Sequence, residues 1–335
     1  MTMTAKNNAV PTPKQGVKYL LGALSRKAWI WAYLAAGATY VAAILAGSGG
    51  GGGGIWSLLY VAFTFASFAV MVGIGQMFVV TLGPGNVDLS IPATMTLAGT
   101  VALKFMASDG ALVVPGLLIA IGVGLACGLF NFGLILLMRI PPIIATLSSS
   151  FLFQSLAIWS NRGLRIKPPQ SLADFATGGT VGIPNAALVA LLVSVLAWVI
   201  LEKAIVGRWI LATGQNKRAA RLGGVPVNAV HFGVYVGCAV LAGLTGFMLA
   251  SFSGGANLNM GTEYMLMSIA VVVIGGSSIA GGNSNVPGIW AAALFMFLLV
   301  SMLNSYGLGA GVRLILTGLI IVSVVALASK KRGRV

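Results

Sequence analysis

The sequence predicts an all-α, polytopic transmembrane protein, and three observations carry that assignment. Hydrophobic residues fill 58% of the 335 positions and charged residues only 7%, whereas soluble domains are about one quarter charged. Apolar runs near the ~20 residues that cross a bilayer recur along the chain. Glycine- and proline-rich interruptions and most of the cations stand between those runs. The net charge of +15 therefore follows the positive-inside pattern of membrane proteins. The cations are not clustered with aromatics on an amphipathic domain, so nucleic acid is not an expected partner.

Taken in order, residues 1–27 form a polar tail with five cations and two prolines, expected to be cytoplasmic. A first span covers about 28–46. Six glycines at 49–54 form a flexible tether. A second apolar segment runs from 55 to 82 and meets GPGNVDLSIP at 83–92. Gly83, Pro84 and Gly85 cannot continue a helix, Asp88 or Ser90 suits the cap of a new one, and Pro92 suits its first turn. The third span ends near 107 and the fourth runs over about 113–138. The fifth, about 143–160, is rich in hydroxyls, and 161–185 is the longest connection. A sixth span, about 186–206, leads into a polar stretch at 212–227. The seventh runs over 228–252 and ends in a second break, SGGANLNMGTE at 253–263. Spans over about 264–281, 288–305 and 312–329 make ten, and residues 330–335 form a basic tail. The organisation is thus a transmembrane domain, 28–329, between two short tails.

Ten spans place both termini on one face. That face collects five cations from the first tail, Arg139, Lys203, Arg208, three from 212–227 and four from the last tail, fifteen in all. The opposite face keeps Lys104, Arg162, Arg165, Lys167 and Arg313. Fifteen against five makes the termini and the stretch 212–227 cytoplasmic.

The stretch ATGQNKRAARLGGVPV at 212–227 is the longest polar interruption in the chain's interior. Lys217, Arg218 and Arg221 have the spacing of one helical face. Asn216 is suited to cap that helix, Gly223 and Gly224 to end it in a left-handed turn, and Pro226 to start the next. A short, exposed, cationic helix between two spans has the shape of a docking element for a cytosolic motor. Gly214, Asn216, Lys217, Arg218, Ala219, Ala220, Arg221 and Gly223 are its candidate residues.

The two breaks echo one another. Gly85-Asn-Val-Asp88-Leu-Ser90 parallels Gly254-Gly-Ala-Asn257-Leu-Asn259. An asparagine follows each: Asn131 lies 43 residues after Asp88, and Asn304 lies 47 after Asn257. With one break opening to each face, spans 2–5 and 7–10 form an inverted repeat with broken, re-entrant helices. The polar residues available to line a passage for a hydroxyl-rich solute are Asp88, Ser90, Asn131, Ser149, Gln154, Asn259 and Asn304. The same residues also suit bonding between helices.

Catalysis by this chain is not expected. No phosphate-cradling Gly-Lys-Ser/Thr loop, serine–histidine–aspartate set or metal-ligand cluster occurs. The glycines at 122 and 124 lie within a span and suit close helix packing. Cys127 and Cys238 both lie in apolar runs and are expected to pack as small hydrophobic residues. Asp88 and Glu263 keep a second class open, an ion-coupled secondary transporter of a small polar solute, because ion coupling ordinarily uses an intramembrane charge.

The segments NVDLSIPATMTLAG (86–99), RIPPIIATLSSSFLFQSLAIWSNRG (139–163), ATGQNKRAARLGGVPV (212–227), VIGGSSIAGGNSNVPGIWAAALF (273–295) and RLILTGLIIVSVVAL (313–327) resemble permease subunits of bacterial ABC importers of the ribose, xylose and arabinose type. The resemblance runs in order from about Ile55 to the C-terminus. It implies a type II importer-like fold and transport of a monosaccharide-like substrate by alternating access. The implied partners are a cytosolic ABC ATPase, a periplasmic sugar-binding protein, a second permease copy (identical or paralogous) and membrane lipid. The chain itself would bind no cofactor, ATP and Mg belonging to the partner ATPase. The stretch 212–227 would be the coupling helix, with Asn216, Ala219, Ala220, Arg221 and Gly223 matching the family pattern.

Overall fold

The computed structural model describes residues 28–48, 54–161, 166–307, 309, 311–312, 315–319 and 322–323. The expectations for the two tails, most of the glycine tether, Arg162, Arg165, Arg313 and much of the tenth span lie outside the described residues. The helices are α1 (Ala28–Ala43, prolonged by a π turn at Ile44–Ser48), α2 (Gly54–Thr81), α3 (Ile91–Met106), α4 (Val113–Leu136) and α5 (Pro142–Asn161). They continue with α6 (Gln170–Thr177), α7 (Asn185–Glu202), α8 (Ile205–Gln215), α9 (Lys217–Leu222), α10 (Val227–Phe252), α11 (Tyr264–Ile274) and α12 (Val286–Ser305). A two-residue antiparallel pair, β1 (Gly179–Thr180) and β2 (Ile183–Pro184), precedes α7. The fold is all-α and polytopic.

Six of these segments are long and apolar enough to cross a bilayer: α2, α4 with its 3₁₀ entry, α5, α7, α10 and α12. The expected count of about ten spans, some broken or re-entrant, is not reached by length among the described residues, where α3 and α11 are apolar but shorter. Their 16 and 11 residues reach only roughly 24 and 16 Å at 1.5 Å per residue. The chain beside each is irregular, over 82–90 before α3 and over 275–285 after α11. The sixth predicted span also divides, with α7 ending at Glu202 and α8 starting at Ile205.

Two helices organise the packing. α10 lies against α3 and α4, while α2 lies against α11 and α12, and α2 and α10 touch each other. The first long helix of each half therefore packs on the second and third helices of the other half. Small residues make these crossings close. A Cβ on Gly124 would sit 2.6 Å from the Ala239 carbonyl oxygen, and one on Gly128 would sit 2.7 Å from Val236 Cα. A Cβ on Gly243 would approach the Ala120 carbonyl within 2.6 Å. Lipid tails are as apolar as leucine, so helices in a membrane associate through such contact rather than by escaping water. Cys127 and Cys238 are buried free thiols in this same region.

Gly124→Ala should lower stability by about 1–3 kcal/mol through overpacking, read as a lower thermal midpoint in detergent. Gly122→Ala meets nothing within 4 Å and should leave the midpoint near wild type.

Candidate functional site

Where a chain leaves its helix inside a membrane protein, its peptide groups must find partners within the protein. The first break begins with Gly83 and Gly85 at φ of +120° and +80°, conformations that glycine reaches without strain. Its amides are then met largely by side chains. Asp88 N–H donates to Gln76 Oε1 at 3.3 Å, and Leu89 N–H to Thr146 Oγ1 at 3.1 Å. Ser90 N–H donates to Asp88 Oδ1 at 2.8 Å. Asp88 thus closes a turn on the residue two ahead rather than capping α3. Ser90 holds the cap position without a side-chain cap bond, and Pro92 occupies the first turn.

The same groups carry on as a buried chain. Ser90 Oγ donates to Asp88 Oδ1 at 2.6 Å, Asn131 Nδ2 donates to Ser90 Oγ at 2.7 Å, and Ser149 Oγ donates to Asn131 Oδ1. All four residues are at most 2% exposed. Elements α3, α4 and α5 are therefore joined through polar contacts in an apolar surround. The Asp88 Oδ2 and Gln76 Nε2 atoms are buried with no hydrogen-bond partner, and the Cys238 thiol faces the carboxyl.

The second break repeats the local geometry. Asn259 N–H donates to Asn257 Oδ1 at 2.9 Å, the counterpart of Ser90 on Asp88. The residue between each pair is held by α5: Leu89 by Thr146, and Leu258 through its carbonyl, which accepts from Gln154 Nε2 at 2.8 Å. Thr146 and Gln154 stand eight residues apart, about 12 Å along one side of the helix. The breaks also meet, since a Cβ on Gly261 would lie 2.3 Å from the Pro92 carbonyl oxygen. The echo does not extend to the asparagines. Asn131 is buried, whereas Asn304 lies exposed at the end of α12.

The seven passage candidates therefore divide. Asp88, Ser90, Asn131 and Ser149 form one network, Gln154 and Asn259 border the second break, and Asn304 is remote. Glu263 is exposed and makes no cap bond. Sequence reasoning missed Gln76 and Thr146. Gln76 carried a signal as a lone amide within an apolar run, and Thr146 stands in the span noted as rich in hydroxyls.

The polar stretch folds as its residues require. Asn216 Oδ1 accepts from Arg218 N–H and Ala219 N–H, both at 3.0 Å. At the other end Val225 N–H returns to the Ala220 carbonyl at 3.0 Å and Gly224 N–H to Arg221 at 3.2 Å. This is the paired closure of a Schellman cap, with Gly224 alone left-handed at +83°. Pro226 stands one position ahead of the first turn of α10, as its cap residue. Ala220 is the buried contact of α9, while Lys217, Arg218, Ala219 and Arg221 face outward. Leu222 is 84% exposed, an apolar contact surface that charge patterning did not reveal.

A cavity of about 700 Å³ opens beside α9, between the first break, the α4–α5 corner and the start of α10. Asn86, Arg139, Thr213, Lys217 and His231 supply polar groups to a wall that Phe132, Ile135 and Ile143 also line, and no carboxylate contributes to it. A second cavity, about 960 Å³, lies between α2, α7 and α12. Its Trp56, Tyr60, Phe63 and Trp290 wall suits apolar chains and not a polar solute.

Broken helices, a buried polar seam and a capped exposed helix between spans define a membrane permease. Comparison with known proteins places it further. The family model described as branched-chain amino acid transport system / permease component matches residues 54–325, and the chain belongs to that family. It is 32% identical over 271 residues to the probable ABC transporter permease protein y4mJ of Sinorhizobium fredii, covering 79% of this chain and 80% of the relative. It is 27% identical over 248 residues to the autoinducer 2 import system permease protein LsrD of Escherichia coli K12, covering 72% and 75%. No solved structure matches. The chain is the permease subunit of an ABC importer and an integral inner-membrane protein. Ion-coupled transport accordingly gives way to an ATP-driven class.

Asn131→Leu removes the centre of the buried chain: Ser90 Oγ loses its donor and Ser149 Oγ loses one of its two acceptors, keeping the Thr146 carbonyl. A loss of about 1–3 kcal/mol is expected, visible as a lower thermal midpoint of the purified subunit.

Proposed function

We propose that this subunit passes a monosaccharide-like solute through alternating access, driven at α9 by a separate cytosolic ABC ATPase. The observation that carries this is α9 itself: a helix capped at both ends, held by one buried alanine, with cations and Leu222 turned outward. Such a surface is built for another protein. A helix that short keeps its shape only because its caps meet the free peptide groups, and it can then move as one body.

The remaining parts follow from the same assignment. The α9 face and both termini lie in the cytoplasm, a periplasmic binding protein delivers solute to the opposite face, and a second permease copy completes the passage. ATP and Mg belong to the ATPase. The crossed packing of α2 and α10, with the twin turns at Asp88 and Asn257, supports an inverted repeat inside a ten-segment arrangement in which α3 and α11 are the short members. The sugar class draws support from the resemblance to ribose-type permeases and from the autoinducer 2 import named for one relative. The uncharged amides and hydroxyls of α4 and α5 can exchange hydrogen bonds with such a solute and release it. Annular lipid fills the apolar cleft between α2, α7 and α12.

Reconstitution with an ATPase and a binding protein tests the assignment. Uptake of a labelled pentose or hexose should require ATP, and Arg221→Glu should weaken ATPase retention about tenfold, equivalent to ~1.4 kcal/mol, while the subunit stays folded. Uptake of leucine with no sugar uptake would overturn the substrate class. Uptake driven by an ion gradient without the ATPase would overturn the mechanism.

A further inference from the structure

Three backbones cross immediately ahead of α9. Helix α2 ends at Thr81, α8 makes its last turn at Gly214, and the irregular connection from α11 to α12 passes through Gly281 and Gly282. Gly282 N–H donates to the Thr81 carbonyl at 2.9 Å, and Gln215 Nε2 donates to the Gly282 carbonyl at 3.4 Å. No side chain separates them. A Cβ on Gly214 would lie 1.8 Å from the Thr81 carbonyl oxygen and 2.5 Å from Gly282 N. A Cβ on Gly281 would lie 2.4 Å from Gly83 Cα and 2.9 Å from the Gly214 carbonyl oxygen. Gly281 and Gly282 have φ of +87° and +70°, so side chains are excluded there by conformation as well as by space.

Each strand of this crossing is the root of a different element. Thr81 opens the break that leads to Asp88 and the buried network. Gly281 and Gly282 lie in the irregular segment ahead of α12. Gly214 stands two residues before Asn216, the cap of α9. The crossings at Gly124 and Gly243 join helix to helix, whereas this one joins a helix end to the irregular segments over 82–90 and 275–285. The Thr81 carbonyl is free to take part because a helix leaves its last carbonyls without partners of its own.

We propose that Gly214, with Thr81, Gly281 and Gly282, forms the joint that carries displacement of α9 into both irregular segments. Gly214, expected from the sequence among the docking residues, is buried behind α9, and is then a positioning residue for transport with no contact to solute or ATPase. Side chains in contact can absorb a displacement by changing rotamer. Backbones in contact cannot, and a close-packed crossing passes the movement on. Gln215 adds a side-chain tie, clasping Gly282 from the α8 side.

Because this joint presupposes that α9 meets the ATPase, the test separates the two. The complete transporter, with its ATPase and binding protein, is placed in proteoliposomes. ATPase retention, ATP hydrolysis and uptake per ATP are measured. Gly214→Ala should retain the ATPase and its hydrolysis while uptake per ATP falls about tenfold, within the range typical of residues in coupling networks. Gln215→Ala alters an exposed side chain and should lower uptake per ATP by about two- to threefold. Gly233→Ala, with open space around its Cβ, should match wild type. Wild-type uptake per ATP in both Gly214→Ala and Gln215→Ala would overturn the joint, and Gln215→Ala decides alone if Gly214→Ala does not accumulate. If Arg221→Glu sheds the ATPase while the joint variants stay coupled, only the joint fails. If Arg221→Glu keeps both ATPase and uptake, the α9 assignment fails and the joint with it.

Discussion

A peptide group released from a helix in hydrocarbon has no water to bond, and this protein releases them in its interior. The stretch over 82–90 is tolerated because Gln76, Thr146 and Asp88 stand where water otherwise would. Much else in the arrangement follows. α5 must run beside the break to present Thr146, α4 must bring Asn131 to Ser90, and α10 must come close enough to wall off the carboxyl with Cys238. Partially satisfied polar networks are costly in a low dielectric. That cost falls here on Asp88 Oδ2 and Gln76 Nε2, which are buried without a hydrogen-bond partner.

Close approach is the second requirement, and the absence of side chains supplies it. Helix α10 reaches α3 and α4 through Gly243, Gly246, Gly124 and Gly128, so carbonyls and α-carbons touch directly. This packing holds the rigid parts together. The irregular parts are held differently, by side-chain hydrogen bonds from Gln76, Asn131, Thr146 and Gln154 and by the crossing at Gly214. The frame is thus held by backbone contact and the breaks by side-chain hydrogen bonds, which can be exchanged without unpacking a helix.

Much of the α9 region is legible in the amino-acid sequence. Asn216, the glycine pair and the cation spacing announce a capped helix because caps are local chemistry, decided within a few residues. The break at Gly83, Pro84 and Gly85 is legible for the same reason. The twin turns at Asp88 and Asn257 show as a six-residue echo and share one hydrogen-bond pattern. Leu222 goes unseen, since one leucine in an apolar chain carries no signal of exposure.

The sequence by itself determined the class, an all-α membrane protein with two glycine-rich breaks and one exposed polar helix. Composition and local backbone preference act over short ranges and need no fold to express them. Only the tertiary structure decided that α3 and α11 are short, that Asn131 joins Ser90 while Asn304 stays outside, and that Gly214 meets Thr81 and Gly282. Those outcomes depend on which helices pack together, in places across more than a hundred residues. In an apolar environment close packing makes that choice, and hydropathy is nearly the same for every candidate partner.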